Sequence, residues 1–382
     1  MIHLDKVKYI LNNNVINKPI TPYNEIVIEF LDEFSKELKL HPLSKLYPDI
    51  LTFSFWCRKR NILKYKKDIN NKIGWGISFH ITPSNVPINF AFSYIFALLS
   101  GNSAIVRLPS KHFAQVDIIL DVLKKLFIKY PLISNMSCFI QYERDDNITT
   151  YFSNLSQLRV IWGGDESITN IKKLPTKPKL IDIVFADRYS ISVMDSEKLT
   201  DFSNLAKKFY NDTYLMDQNG CSSPHFVFWL NRNEENINKF YLALKEVVKE
   251  EYNLEYIMSM DKFNQICLDS LNLDIDFIKY DNYIYVVTLN SLPKKITNLR
   301  GKSGYFYQYF IDDLDEIKDI INEKFQTLTY YGLDKNEIKN FVFANNLLGI
   351  DRIVPVGMAF EMDIIWDGYD LIETMTRKIK VI

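Results

Sequence analysis

Two segments of this sequence set reactive side chains in surroundings where they can act. The first is Asp217-Gln218-Asn219-Gly220-Cys221-Ser222-Ser223-Pro224, one cysteine among small and polar neighbours, between a helical stretch and the strand-like run His225-Phe226-Val227-Phe228-Trp229. A thiol in such a turn can meet a substrate and be held as a thiolate by nearby N–H donors. A cysteine is more often a small buried hydrophobe; the polar flanks of Cys221 favour the nucleophile. His225, four residues on, lies in a strand whose side chains alternate in direction, so a structural role is expected for it. His80, in an upstream strand, reads as a packed or hydrogen-bonded histidine.

The second segment runs from Gly74 to Asn89. Its strand-like part ends at Ile81, the turn Thr82-Pro83-Ser84-Asn85-Val86-Pro87 follows, and residues 88–99 read as an apolar helix. Pro87 suits the first turn of that helix, where a missing N–H costs nothing. A further strand, residues 103–108, runs into Pro109-Ser110-Lys111.

These residues need a scaffold, and the alternation of strands and helices predicts an open α/β sheet. Residues 26–34 show helical periodicity, and residues 114–129 form a stronger amphipathic helix with Val116, Ile119, Leu120, Leu123 and Leu126 on one stripe. Residues 138–141, 158–162, 180–185 and 190–194 read as strands, as do 283–287 and 305–309. The strand ending at Trp162 enters Gly163-Gly164-Asp165-Glu166-Ser167. A glycine turn there lets backbone amides approach a phosphate, although Asp165 and Glu166 disfavour one. No Gly-x-Gly-x-x-Gly fingerprint occurs, which argues against an ordinary dinucleotide-binding dehydrogenase.

Strand, asparagine-bearing turn, helix, strand and basic turn together resemble the cofactor half of the aldehyde dehydrogenase superfamily, in which that asparagine and a distant cysteine share one active site. Within it the sequence is identified as a member of the LuxC-type acyl-CoA reductases. Four blocks in the family's order carry this: residues 83–87, residues 107–111, Gln218 to Pro224, and Gly349 to Gly357 followed by Trp366-Asp367-Gly368-Tyr369-Asp370. The resemblance extends from about Gly74 to the last residue, and earlier residues show no diagnostic motif.

The resemblance implies an aldehyde dehydrogenase-like α/β fold of two open domains. Residues 1–190 are expected as a helical segment plus NAD(P)-binding domain, 191–350 as the cysteine domain, and 351–382 as a segment returning to the domain interface. It implies Cys221 and Asn85 as catalytic residues, and a cofactor site at Thr82, Pro83, Ser84, Arg107, Ser110, Lys111, Gly163, Gly164 and Ser167. Arg107 and Lys111 there suit a 2′-phosphate and favour NADPH, with NADH the alternative. Hydrolytic members carry a glutamate in a Glu-Leu-Gly-Gly segment that activates water. Here that place falls at Phe185 or its neighbours, with no such segment, so water lacks a base. The expected reaction is reduction of an acyl-CoA or other acyl thioester to an aldehyde through an acyl-cysteine. The alternatives are a hydrolytic aldehyde dehydrogenase and a non-catalytic scaffold subunit. Resemblance also implies a homodimer or tetramer and an acyl-protein synthetase partner.

Composition adds exclusions. With 382 residues, 47% hydrophobic, the chain can build two cores. A net charge of -1 gives no general reason to expect nucleic acid, and the basic run from Arg58 to Lys67 reads as a solvated helix face. Cys57, Cys138, Cys221 and Cys267 are widely spaced, without metal-type spacing, and fit reduced thiols in a cytoplasmic protein. Apart from Cys221 they are expected to be structural. The first residues do not read as a signal peptide, and residues 86–99 are too short to span a bilayer.

Overall fold

The computed structural model describes residues 4–66, 69–84 and 86–382. The chain forms two compact units, Met1–Ala186 with Met362–Ile382, and Asp187–Glu361.

The first unit opens with β1 (Lys8–Leu11), α1 (Glu25–Leu40), α2 (Pro48–Trp56), α3 (Lys59–Lys64) and β2 (Lys72–Gly74). Asn24 caps α1 by accepting from Ile26 N, and Val27, Phe30, Leu31, Phe34 and Leu38 form its buried stripe. α3 covers Lys59–Lys64 of the basic run, whose last residue, Lys67, lies outside the described residues. Alternation then sets in: β3 (Ile77–Ile81), α4 (Asn89–Leu99), β4 (Ser103–Arg107), α5 (Ala114–Lys129), α6 (Pro131–Asn135), β5 (Ser137–Gln141), α7 (Asp146–Leu155), β6 (Leu158–Trp162), α8 (Asp165–Lys172) and β7 (Ile181–Phe185). The helix α4 starts at Asn89, so Pro87 belongs to the turn before it and not to its first turn.

The sheet order is β1-β5-β4-β3-β6-β7. All pairs are parallel except β1 with β5. Every residue of β3 is buried, as a central parallel strand covered on both faces requires. From β3 the chain steps outward through β4 to β5, then returns to the other side of β3 to form β6. The carboxyl ends of β3 and β6 therefore flank a topological switch point, where open α/β sheets bind ligands. His80 is fully buried in β3, with Nδ1 2.6 Å from Ser93 Oγ and Nε2 2.8 Å from Ser78 Oγ. Burial pushes its pKa down to about 3, so it is a neutral structural group.

The second unit contains β8 (Tyr189–Asp195), α9 (Phe202–Thr213), β9 (Pro224–Leu230), α10 (Glu234–Glu251), α11 (Tyr256–Asn272), β10 (Ile275–Tyr280), β11 (Ile284–Leu289), β12 (Tyr305–Ile311), β13 (Phe325–Tyr331), α12 (Lys335–Ala344) and β14 (Arg352–Pro355). Its sheet order is β10-β11-β12-β9-β8-β13-β14, with only β10 antiparallel to its neighbour. One core packs Ile191, Phe226, Tyr307 and Leu328 on one face; another packs Val227, Trp229, Phe240 and Phe306 on the other.

Helix α11 inverts the usual pattern. Its buried face carries Lys262, Ile266 and Asp269, while Tyr256, Ile257, Met260, Phe263, Leu268 and Leu271 are exposed. Asp269 accepts from Tyr305 Oη at 2.5 Å and Tyr307 Oη at 2.7 Å. Cys267 also lies on the outward face, exposed, and not in a packed structural position as its apolar flanks suggest.

The last segment belongs to the first unit: β15 (Ile365–Trp366), β16 (Tyr369–Asp370), α13 (Leu371–Thr374) and β17 (Thr376–Lys378), which pairs with β2. Asp367 and Gly368 have φ of 49° and 75°, the left-handed pair that an Asp-Gly hairpin turn needs. The Trp366 to Asp370 block is thus a two-stranded hairpin. Tyr369 packs edge-on against Phe185, and Leu371, Ile372 and Met375 enter the first unit's core. Among the described residues no helix is long and apolar enough to cross a membrane.

Candidate active site

The expected site residues fall in two groups, one in each unit. Asn85 lies outside the described residues.

Cys221 sits at the amino-terminal edge of the second sheet, three residues before β9, and its side chain is exposed. The turn that carries it is held from several directions. Asp217 and Gln218 take left-handed backbone conformations, φ 51° and 63°, which non-glycine residues adopt only under constraint. The constraint is Gln218, fully buried. Its Nε2 donates to Pro224 O and Tyr305 O, both at 3.1 Å, and its Oε1 accepts from Gly304 N at 3.2 Å. Asp217 O accepts from Ser303 N at 3.1 Å, and Asp217 Oδ1 accepts from Tyr252 Oη at 2.5 Å. Ser190 Oγ, at the start of β8, donates to Cys221 O at 2.7 Å. Ser222 Oγ donates to Gln326 Oε1 at 2.9 Å.

His225 is buried behind this turn. Its Nδ1 lies 3.0 Å from Gly301 O, and its ring stacks on Tyr189 with centroids 5.5 Å apart. Burial, then the Arg300 charge, brings its pKa down to about 4, which leaves a neutral imidazole bound to a backbone carbonyl. Asp187 is bound by Arg300 in a bidentate pair at 2.9 and 2.8 Å. Phe185, at the end of β7, is buried with its ring stacked 3.8 Å from that of Trp162.

One further group contacts the cysteine turn. Asp212, near the end of α9, is buried and accepts from Gly357 N at 2.6 Å and Ala359 N at 2.9 Å. Arg352 grips the same loop by its carbonyls, donating to Ala359 O and Glu361 O, both at 2.8 Å. Burial pushes Asp212 up to about 7, against the two N–H donors and Arg352, which pull it down. This loop brings Phe360 to Gly220: a Cβ built there would lie 2.5 Å from Phe360 Cε1 and 2.7 Å from Cζ. Glycine precedes the cysteine because the ring takes the space. Gln218 and Arg352 lie inside motifs legible in the sequence; nothing in the sequence marks Asp212 or Phe360.

The cofactor candidates gather at the carboxyl edge of the first sheet. Thr82, Pro83 and Ser84 follow β3; Ser110 and Lys111 follow β4; Gly163, Gly164 and Ser167 lie at the end of β6 and start of α8. Thr82 is buried and its Oγ1 donates to Arg107 O at 2.7 Å, joining the first two loops. The Arg107 guanidinium is held inward, donating to Tyr142 O at 3.1 Å with its carbon 4.4 Å from the Tyr142 ring centroid. Ser84, Ser110, Lys111, Gly164 and Ser167 are exposed. Gly164 is the N-cap of α8, makes no side-chain cap, and a Cβ placed on it would meet nothing within 4 Å. The first-turn amides of α8 therefore present an accessible anion-facing end, opposed by Asp165 and Glu166 in the same turn. These residues suit a dinucleotide phosphate at a switch point.

An open α/β sheet with a switch point, and a second α/β unit bearing an exposed cysteine, make up an aldehyde dehydrogenase-like fold. Solved structures bear out the fold. The NADP-dependent glyceraldehyde-3-phosphate dehydrogenase from Bacillus halodurans aligns with TM-score 0.63 at 12% identity, covering 94% of this chain and 86% of that one. The NAD-dependent benzaldehyde dehydrogenase from Corynebacterium glutamicum aligns with TM-score 0.61 at 13% identity, covering 94% and 85%. The family Acyl-CoA reductase (LuxC) matches residues 26–262, more than half of the chain, which belongs to that family. The long-chain acyl-protein thioester reductase of Aliivibrio fischeri is 24% identical over 294 residues, covering 74% of this chain and 58% of the relative. That of Photobacterium phosphoreum is 25% identical over 303 residues, covering 74% and 57%. The matched part thus spans little more than half the length of these relatives.

Proposed function

We propose that the chain reduces an acyl thioester to an aldehyde, with Cys221 as the nucleophile that carries the acyl group and NADPH as reductant. The observation that carries this reading is an exposed cysteine on a turn whose backbone is fixed by buried side chains, in a chain of the acyl-CoA reductase family. The Cys221 thiolate attacks the thioester carbonyl, a new C–S bond forms, and the donor's thiolate leaves. The oxyanion is stabilised by the Cys221 backbone N–H and, in this proposal, the Asn85 amide. When bound, the nicotinamide supplies the hydride that takes the acyl group to aldehyde level. Cys221 then leaves as a thiolate and the aldehyde is released.

The surroundings support reduction over hydrolysis. Where a water-activating glutamate is expected, Phe185 is stacked on Trp162, and the nearby carboxylate Asp187 is bound by Arg300. Phe185 has no proton acceptor and the Arg300 pair makes Asp187 a weaker base, which favours reduction of the acyl-cysteine over its hydrolysis. In the cofactor site Lys111 is the cation for a 2′-phosphate, since Arg107 is held on Tyr142; NADH is the alternative reductant. The relatives named above are acyl-protein thioester reductases, so the acyl donor in this proposal is a long-chain thioester on a protein or on coenzyme A. A homo-oligomer, an acyl-protein synthetase partner and a reducing cytoplasm complete it. NADPH oxidation with acyl thioesters from short to long, against Cys221→Ala, is the test. Turnover lost in the variant supports the proposal, and full turnover by the variant refutes it.

A further inference from the structure

We infer that α1, α2 and α3 carry a membrane-docking surface, on which exposed apolar side chains enter the interface of an anionic lipid bilayer and basic ones meet its headgroups. From Leu38 to Lys67 the sequence holds eight lysines and arginines against one acid, Asp49, in a chain whose net charge is -1. That acid is engaged: half-buried, it accepts from Gln115 Nε2 at 3.2 Å and from Ile50 N at 2.9 Å. The same stretch exposes Leu40, Leu43, Leu46, Phe55 and Leu63. A basic face alone is ordinarily solvated, and single exposed apolar residues are common. Here the two are interleaved, and a face that meets only water has no use for the leucines.

The fold holds these side chains outward. Between α1 and α2 the chain makes a tight turn, in which Ser44 N donates to His41 O at 3.1 Å and Leu46 N to Leu43 O at 3.0 Å. Ser44 is buried, so Leu43, Lys45 and Leu46 stand out from the turn; Leu46 is 68% exposed, and Leu40, the last residue of α1, 75%. The exposed residues of α2 are Pro48, Thr52 and Phe55, one helical row that leads away from the leucine turn. Beyond it the Arg58 guanidinium carbon lies 4.5 Å from the Phe55 ring centroid, and α3 exposes Lys59, Arg60, Leu63 and Lys64. Two reciprocal bonds, Ser35 Oγ to Ser54 O at 2.5 Å and Ser54 Oγ to Ser35 O at 3.2 Å, fix α2 on α1 beneath this row. A bilayer surface suits both halves of the chemistry, since its interface takes apolar side chains out of water and its anionic headgroups attract each nearby cation. A nucleic acid would engage the cations and leave the leucines in water.

The test needs no turnover and stands apart from the reaction proposed above. The full chain is sedimented with vesicles of pure phosphatidylcholine and with vesicles of phosphatidylcholine and phosphatidylglycerol in equal amounts. Partitioning onto the mixed vesicles exceeds that onto the pure ones at least about ten-fold and falls as salt is raised. Leu43→Ser combined with Leu46→Ser lowers it at least about ten-fold, because two side chains no longer leave water. Arg60→Gln combined with Lys64→Gln removes most of the preference for the mixed vesicles. Leu348→Ser, which removes an exposed leucine of the second unit, binds like the parent. Each variant keeps the parent's urea midpoint, so lost binding is a loss of surface and not of fold. Equal partitioning onto both kinds of vesicle overturns the inference, as does unchanged binding by the leucine variant. Binding to duplex DNA with none to vesicles overturns it too and assigns the cations to a nucleic acid.

Discussion

The two sheets offer their reactive residues at opposite edges and hold them in different ways. In the first unit the candidates follow the carboxyl ends of β3, β4 and β6, and single bonds such as Thr82 to Arg107 O join one loop to the next. In the second, the cysteine turn precedes β9, and Ser190, Gln218 and Gln326, all buried, converge on it from the starts of β8 and β13 and from the turn itself. A ligand that brings many polar atoms can be received by exposed amides and a cation. A single sulfur atom cannot organise its surroundings, so the protein fixes it beforehand. In the proposed reaction the unit with these buried polar bonds is the one that carries the acyl group.

The largest effect expected from this contrast is Cys221→Ala, which removes the acyl-enzyme and lowers kcat/KM at least about a thousand-fold with the fold intact. Acyl transfer from a radiolabelled thioester, followed by gel analysis, checks that no label is retained. Gln218→Ala comes next. It leaves Pro224 O, Tyr305 O and Gly304 N–H without their buried partner and should cost about 3 kcal/mol of stability. Urea denaturation measures that cost, and acylation should slow even at temperatures where the protein stays folded. If stability falls and acylation does not, the turn is not held for chemistry.

On the first unit the effect should be smaller and confined to the cofactor. Lys111→Ala should raise KM for NADPH about ten-fold and leave kcat and the KM for NADH unchanged, because a lone exposed cation contributes charge and little geometry. An equal rise for both cofactors would remove Lys111 from the 2′-phosphate site.

The alternation of the first unit is legible because its parallel strands are short apolar runs with amphipathic helices between them: residues 114–129 read as a helix and are one, the strand at 158–162 falls where expected, and the one expected at 180–185 starts one residue later. The edges are not. β1 and β10 are edge strands with consecutive exposed residues, so neither shows a clean alternation, and α11 defeats periodicity by burying a lysine and an aspartate beneath an apolar exterior. For the site, Cys221 is visible by its flanks, and Gln218 and Arg352 only as parts of motifs. Asp212 and Phe360 become partners through contacts more than a hundred residues apart, which no local spacing encodes.

A pH titration tests whether the buried cation under the second sheet is part of the same fixing network. Lys262 donates to Ser303 O at 2.7 Å and Tyr283 O at 3.2 Å, and Ser303 N in turn holds Asp217 O, so the lysine backs the cysteine turn at one remove. Burial, and then the Lys279 charge, lower its pKa from the ordinary lysine value to about 7. Between that value and the ordinary one near 10.5, the unfolded chain binds more protons at this group than the folded chain. Its contribution therefore makes stability rise with pH across that window, by at most about 1.4 kcal/mol per pH unit. Below the window both states are protonated and the contribution is flat. The difference in unfolding free energy between the protein and Lys262→Met, measured from pH 7 to 10, should grow in the protein's favour as pH rises. A flat difference would mean that Lys262 keeps an ordinary pKa, and that the second unit fixes its turn without a strained cation.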